Sequence, residues 1–351
     1  MTPSTTPRET VKIFDRYGNQ LAQFRASAPR SWVIGKEGRA SLTLPTIKTE
    51  YVNSTILKPG NWLLVENSHL PYWVGVIDMP REWGYRTVTV YAYSPERVFS
   101  WRRGPLEETI TGSAGAIFAL LIERINSAEA TILQAGEIWR GGIQRQETLH
   151  PNQLSQNLAN IQLRSGEEYS FRPVVSDKGQ LIVYCDWQSK LGYATDCPLV
   201  EGKKGGNIEN TQNTLSEDGV IVNDLLGYGS GSTWTTRPNV PTLSSDTSRG
   251  DYGLRQGSQD WGSANDVATI TANNISYLSF NSQPQRVYGV TALNRGDTFF
   301  YIRHGNTLKL QLQSVGFTGD SIGIESRVRI LGMGYDPKSG QKLQLALQEI
   351  L

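Results

Sequence analysis

The chain has 351 residues, 19% of them charged, a formal net charge of +1 and a mean hydropathy of −0.38. Near-neutrality removes the usual electrostatic argument for nucleic acid or an anionic membrane as a tightly held partner. The longest apolar stretch, residues 114–122, is about half the length of a membrane-spanning helix. The chain is longer than one core usually supports, so two or three domains are expected. Residues 1–8 are polar and lack the apolar core of a signal peptide, so the reading is a soluble protein with no membrane anchor and no export signal of its own. Cys185 and Cys197 are too few for a disulfide framework or a zinc site; they read as small apolar residues in a reducing compartment.

From Thr10 onward, short strands alternate with turn signals. Residues 11–14 and 21–24 flank a turn at 15–19 as a hairpin, and residues 31–34 and 40–44 flank a second turn at 35–38. Strands are expected at 62–66, 72–78 and 85–93, the last with Val88 and Val90 on one side and Thr87, Thr89 and Tyr91 on the other. This even spacing predicts a barrel or sandwich over residues 10–103. Trp62, Trp73, Trp83 and Trp101 read as core or rim aromatics in preference to a sugar-stacking platform.

After Trp101 the period changes. Ile117, Leu120, Leu121 and Ile125 recur at helical spacing over 113–127, with Ser113 placed to cap and Glu123 and Arg124 on the wet side. A second helix is predicted over 151–161, where Pro151 suits a first turn and Leu154, Leu158 and Ile161 share a face. Strands at 169–175 and 180–186 flank Ser176, Asp177, Lys178 and Gly179 as a hairpin. Residues 104–190 therefore form an α/β piece.

Residues 202–213 read as a loop and 220–227 as a strand, while 229–263 read as extended surface chain with no core of its own. A helix over 263–278, carrying Val267, Ile270 and Ile275, leads into the most regular stretch. There Leu308, Leu310 and Leu312, then Val328 and Ile330, then Leu343, Leu345 and Leu347 each alternate with polar or small residues. Asp336, Pro337, Lys338, Ser339 and Gly340 make a turn before the last strand. The pattern predicts an antiparallel meander closing on itself as a small barrel or sandwich.

Catalytic chemistry finds little to work with. His69, His150 and His304 lack metal-ligand spacing, and no metal is expected. Neither Glu107 with Glu108 nor Glu167 with Glu168 makes an acid/base dyad, because neighbours in a helix or strand point apart; solvated faces are the preferred reading. Gly229, Ser230 and Gly231 lack the strand-then-helix setting of a nucleophile elbow. The pairs Gly141/Gly142 and Gly205/Gly206 lack the context of a phosphate loop, and Asp218 and Asp320 lack the spacing of a calcium loop. Arg102 and Arg103 beside Trp101 read as a solvated corner. Catalytic residues, cofactor-binding residues and cofactors are therefore expected to be none.

The order of parts resembles a known family. A WVGVIDMP strand and a VTVYAYSPERVFSWR strand lead into a helix, AGAIFALLIERIN, and an α/β piece. VIVNDLLGYGSG, a YGLRQ segment and a helix follow. The chain closes on RVYGVTALNRGDTFFYIRHGNTLKLQLQ and SRVRILGMGYDPKSGQKLQLALQ. From about Val11 to Leu347 this resembles the tail hub proteins of tailed phages and phage-derived injection systems, which include the baseplate hub of contractile tails and the N-terminal region of siphophage tail-associated proteins.

The resemblance implies a mainly β fold with an α/β middle: two small antiparallel β-barrels, 10–103 (completed by 207–230) and 284–351, linked by 104–190 and by a return strand, linker and helix over 191–283. It implies a homotrimer whose six barrel positions adapt a six-fold tail tube to a three-fold tip. Its neighbours would be a tube or distal-tail protein above and a spike or fibre below, and DNA would pass without specific binding. It further implies a virion location at the tail tip or baseplate, assembly in the host cytoplasm, and no enzymatic activity. A carbohydrate- or receptor-binding virion protein and a distal-tail adaptor ring stand as the alternatives.

Overall fold

The computed structural model describes residues 9–48, 50, 52–105, 108–149, 151, 153–202, 205–209, 214–218, 220–231, 236–262, 264–318, 321–340 and 342–350. The chain begins with β1 (Glu9–Phe14), β2 (Gln20–Arg25), β3 (Arg30–Val33), β4 (Arg39–Pro45), β5 (Trp62–Asn67), β6 (Trp73–Gly84), β7 (Thr87–Tyr93) and the short helix α1 (Glu96–Ser100). The middle holds β8 (Glu108–Gly112), α2 (Ala114–Ala128), β9 (Leu133–Ile138), β10 (Arg145–Leu149), α3 (Leu154–Ser165), β11 (Glu168–Val175) and β12 (Leu181–Gln188). Next come β13 (Leu199–Val200), β14 (Thr214–Asp218), β15 (Asp224–Tyr228), β16 (Leu243–Ser244), α4 (Asp246–Tyr252), β17 (Gln256–Asp260) and α5 (Val267–Asn281). The last part is β18 (Gln285–Leu293), α6 (Thr298–Tyr301), β19 (Thr307–Thr318), β20 (Ser321–Tyr335) and β21 (Lys342–Glu349).

The fold is mainly β with an α/β middle, as the sequence predicts, but the two β-rich ends do not close into separate barrels. Their strands fuse into one sheet, ordered β14-β18-β21-β20-β3-β4-β7-β6-β5-β1-β2, with β19 on β20 and β13 on β19. The reason lies in β20. Along one edge its first half pairs with β19, as in Thr307↔Arg329, and its last residues pair with β3, from Gly332↔Val33 to Tyr335↔Arg30; its other edge carries β21. Backbone groups left free where β19 ends thus find a partner in the other end of the chain. Among the described residues, isolated bridges at Glu201↔Ile208 and Ile208↔Ala292 lie between β13 and β18, and single bridges are not a closing ladder.

Segment 207–230 does not complete the first end. β14 pairs antiparallel with β18, and β15 pairs with β16 and, in parallel, with β17. Leu215 of β14 packs against the large core next to its new neighbours, which supplies the apolar contact that fixes its place. The 229–263 tract also departs from expectation. Val240 and Trp261 join Ala264 and Ile270 in a small core, and the Trp261 indole N–H donates to Asn274 Oδ1 at 2.7 Å. One tryptophan with a hydrogen-bond partner is enough to anchor a tract otherwise built of small polar residues.

Two cores carry most of the burial. The large one draws Val11, Ile13, Leu63, Val65 and Ile77 from the first end together with Tyr288, Leu310, Ile330, Leu343, Leu345 and Leu347 from the last. The second takes the opposite face of the same first-end strands, through Phe14, Trp62, Leu64, Val74 and Val76, and packs it on α2, α3 and β12. β1, β5 and the first half of β6 are therefore a wall buried on both faces.

Helix α2 forms where its periodicity predicts. The Ala116 N–H donates to the Ser113 hydroxyl at 3.3 Å, and Phe118 lies 4.9 Å from the Trp187 ring, centroid to centroid. Gly115 is required there: a Cβ would stand 2.2 Å from the Trp139 carbonyl oxygen. Helix α3 starts three residues later than predicted and runs on until Gly166, in the left-handed region at φ 67°, ends it. Helix α5 is likewise displaced, because Asp266 provides its cap: the Thr269 N–H donates to Asp266 Oδ1 at 2.8 Å.

Candidate functional site

The residues weighed for catalysis are scattered. His69 sits in a turn, His150 and Glu107 lie outside the described residues, and Glu108 pairs with Arg124. Among the described residues no group of three or more His, Cys, Asp or Glu could hold a metal ion. Ser230 bonds Asn265 in an open bend, Asp320 lies outside the described residues, and the side chain of Asp218 is likewise not described. Arg102 pairs with Glu129 at 3.2 Å and Arg103 is exposed, as a solvated corner should be. Both cysteines are free; Cys185 is fully buried, and burial pushes its thiol up, away from reactivity.

Glu167 and Glu168 do point apart, but not to water. Both are buried: Glu167 accepts from the Trp187 indole, and Glu168 faces Arg329. Arg329 grips that carboxylate with both terminal nitrogens, Nη1 at 2.6 Å from Oε1, while the Leu191 N–H donates to Oε2 at 2.8 Å. Burial alone would raise the Glu168 carboxyl. Bonds from Arg329 and Leu191, and the charges of Arg329 and Lys190, hold it below its ordinary value instead. This contact joins β11 of the middle to β20 of the last end.

A second joint ties the first end to β20. The Arg30 guanidinium is wholly buried, donates to Glu9 Oε1 at 2.7 Å and to the Ala28 carbonyl at 2.9 Å, and lies 5.2 Å from the Trp32 ring and 5.0 Å from the Tyr335 ring. Arginine suits this place, since its planar cation can be paired and stacked at once. Sequence reading missed both joints. Their one sequence trace is a charged residue at an inward position of an otherwise alternating strand.

The outer surface carries the remaining signal. Trp62 and Trp73 are core, as predicted, but Trp83 is 66% exposed beside Tyr85 at 86%, on the hairpin between β6 and β7. Trp101, 40% exposed, lines a different cleft with Tyr17. The aromatic side chains therefore do not form one platform. The sheet ends at β2 and β14, and its β19 branch ends at β13; such edges are templates for pairing with another chain.

This arrangement has the fold of phage tail proteins. Three solved structures share it over nearly their whole length and this chain's: prophage tail protein gp18 from Listeria monocytogenes EGD-e (TM-score 0.61, 11% identity, 96% of this chain and 94% of that one); the tail protein from Neisseria meningitidis MC58 (0.58, 11%, 97% and 96%); and the 43 kDa tail protein of prophage MuSo2 from Shewanella oneidensis (0.58, 9%, 97% and 98%). No protein-family model and no curated protein matches the sequence.

Proposed function

We propose that this protein is a structural subunit of a phage-type tail or baseplate, acting as a trimeric hub between a six-fold tube or distal-tail ring and a three-fold tip. The observation that carries the reading is the end-to-end likeness to prophage tail proteins, which spans both β-rich ends and everything between them. Residues 10–103 and 284–351 are the two like ends, 104–190 the α/β piece and 191–283 the connection. The continuous sheet supports this use: β20 fixes one end against the other, so a ring of three chains would present six β-rich positions of set geometry. The end strands β2 and β14, unpaired on their outer side among the described residues, suit pairing between neighbouring copies. A net charge of +1 suits a channel wall that DNA passes without being held, since phosphate contacts would slow its passage.

On this reading the mechanism is mechanical and no residue is catalytic. The protein would be placed at the tail tip or baseplate of a virion, with tube or distal-tail protein on one side and spike or fibre on the other. Immunogold labelling of tailed particles tests the placement: label at the end of the tail agrees, and label at the head, or particles complete in a strain lacking the gene, refutes it. Receptor binding has one observation in its favour, the cleft that Trp101 and Tyr17 share. Glycan arrays with wild type and Trp101→Ala decide that point.

A further inference from the structure

A cavity of about 60 Å³ lies where β3, α1, β11 and the segment before β19 meet, lined among others by Trp32, Lys36, Glu96, Tyr169, Phe171 and His304. Three buried polar atoms of that lining have no hydrogen-bond partner: Trp32 Nε1, Glu96 Oε2 and His304 Nδ1. Trp32 and Glu96 belong to the first end and His304 to the last, while Tyr169 and Phe171 bring in the middle. Buried polar groups are almost always paired, and a polar cavity larger than about 10–15 Å³ has room for water to pair them.

We propose that this cavity holds a small cluster of ordered water and serves as a titratable joint: with Glu96 protonated and His304 neutral it locks the first end, the middle and the last end together, and charging either residue loosens the lock. The surroundings favour the two neutral forms. Burial pushes the Glu96 carboxyl up to about 7 and the charge of Glu37 adds to this, against hydrogen bonds from Ser94 and the backbone. Burial pushes the His304 imidazole down to about 4; the Glu168 carboxylate opposes this, while Arg303 and Arg329 reinforce it.

Several other charged or titratable groups lie nearby. Arg97 stands 3.6 Å from Glu37 and 3.1 Å from Asp78, Lys190 stands 3.4 Å from Glu168, and Tyr169 is held protonated by its own burial and by Glu96 and Glu37. Lys36 lines the cavity, and the Cys185 thiol, raised by burial and by the charges of Asp186 and Glu96, stays protonated.

The two residues pull stability in opposite directions with pH. Glu96, raised from 4.5 to about 7, contributes fully below pH 4.5 and loses its contribution as pH rises to 7. His304, lowered from 6.5 to about 4, contributes fully above pH 6.5 and loses its contribution as pH falls to 4. In the wild type the two slopes cancel across the overlap, and either single variant uncovers the other.

The test is urea unfolding of the full chain at pH values from 4 to 7.5 for wild type, Glu96→Gln and His304→Asn. Relative to wild type, the folding equilibrium constant of Glu96→Gln should rise on the order of 100-fold from pH 4.5 to 7, and that of His304→Asn should fall on the order of 100-fold from pH 4 to 6.5. Profiles parallel to wild type overturn the proposal. Should a variant not fold, carbon-13 titration of the wild-type Glu96 carboxyl decides: ionisation near 7 supports the joint, and ionisation in the ordinary carboxylate range refutes it.

Discussion

The two β-rich ends are built from similar strands but buried differently. In the first, β5 is buried on both faces, Leu63 and Val65 in the large core and Trp62 and Leu64 in the second. In the last, β21 buries Leu343, Leu345 and Leu347 and turns Gln344 and Ala346 outward. The α/β middle covers the outer face of the first end, whereas Gln344 and Ala346 on the outer face of β21 are exposed among the described residues. One end is thus committed to holding its own chain together, and the other keeps a free face.

Several changes would break or sharpen this contrast. Removing residues 341–351 takes β21 out from between β18 and β20 and should leave no soluble folded protein by circular dichroism, because it opens two new strand edges and strips Leu343, Leu345 and Leu347 from the large core. Leu64→Gln should cost about 3–5 kcal/mol in denaturant unfolding, through lost burial and an unpaired amide. Its counterpart on the free face, Gln344→Leu, should stay within about 0.5 kcal/mol. Equal losses at the two positions would erase the distinction between the ends.

Glu168→Gln leaves the half of the joint on β20 charged without a counterion and should cost about 3 kcal/mol at neutral pH. Because the folded state holds this carboxyl below its ordinary value, its contribution is present above about pH 4.5 and is lost as pH falls, so wild type and variant should converge in acid. Ser113→Ala should cost about 1 kcal/mol for one lost helix cap, less than Leu64→Gln or Glu168→Gln, measured as a shift of the urea midpoint.

The same contrast explains what the sequence discloses. Leu343, Leu345 and Leu347 alternate with polar neighbours because one face is wet, so the meander is legible residue by residue. In β5 the run Trp62, Leu63, Leu64 and Val65 shows a strand but not which face meets which core, since both are apolar. The fusion of the ends was hidden for another reason. Pairing of Gly332–Tyr335 with Arg30–Val33 joins segments some 300 residues apart, and neither carries a mark that names its partner.

Short connecting elements escaped as well. β13 has two residues and α6 four, about one period of a strand or a helix and too short for any pattern to repeat. The absence of metal-ligand spacing among the three histidines was readable from the sequence. The burial of Glu167 and Glu168 was not, because their partners Trp187 and Arg329 are remote in the chain.

Copy number tests the hub most directly. Native mass spectrometry of the protein released intact from purified tails should give a complex of three chains, near 117 kDa from the 39.0 kDa subunit. A ring of six would reassign the chain to an adaptor, and a lone subunit within an otherwise intact tail would contradict the account.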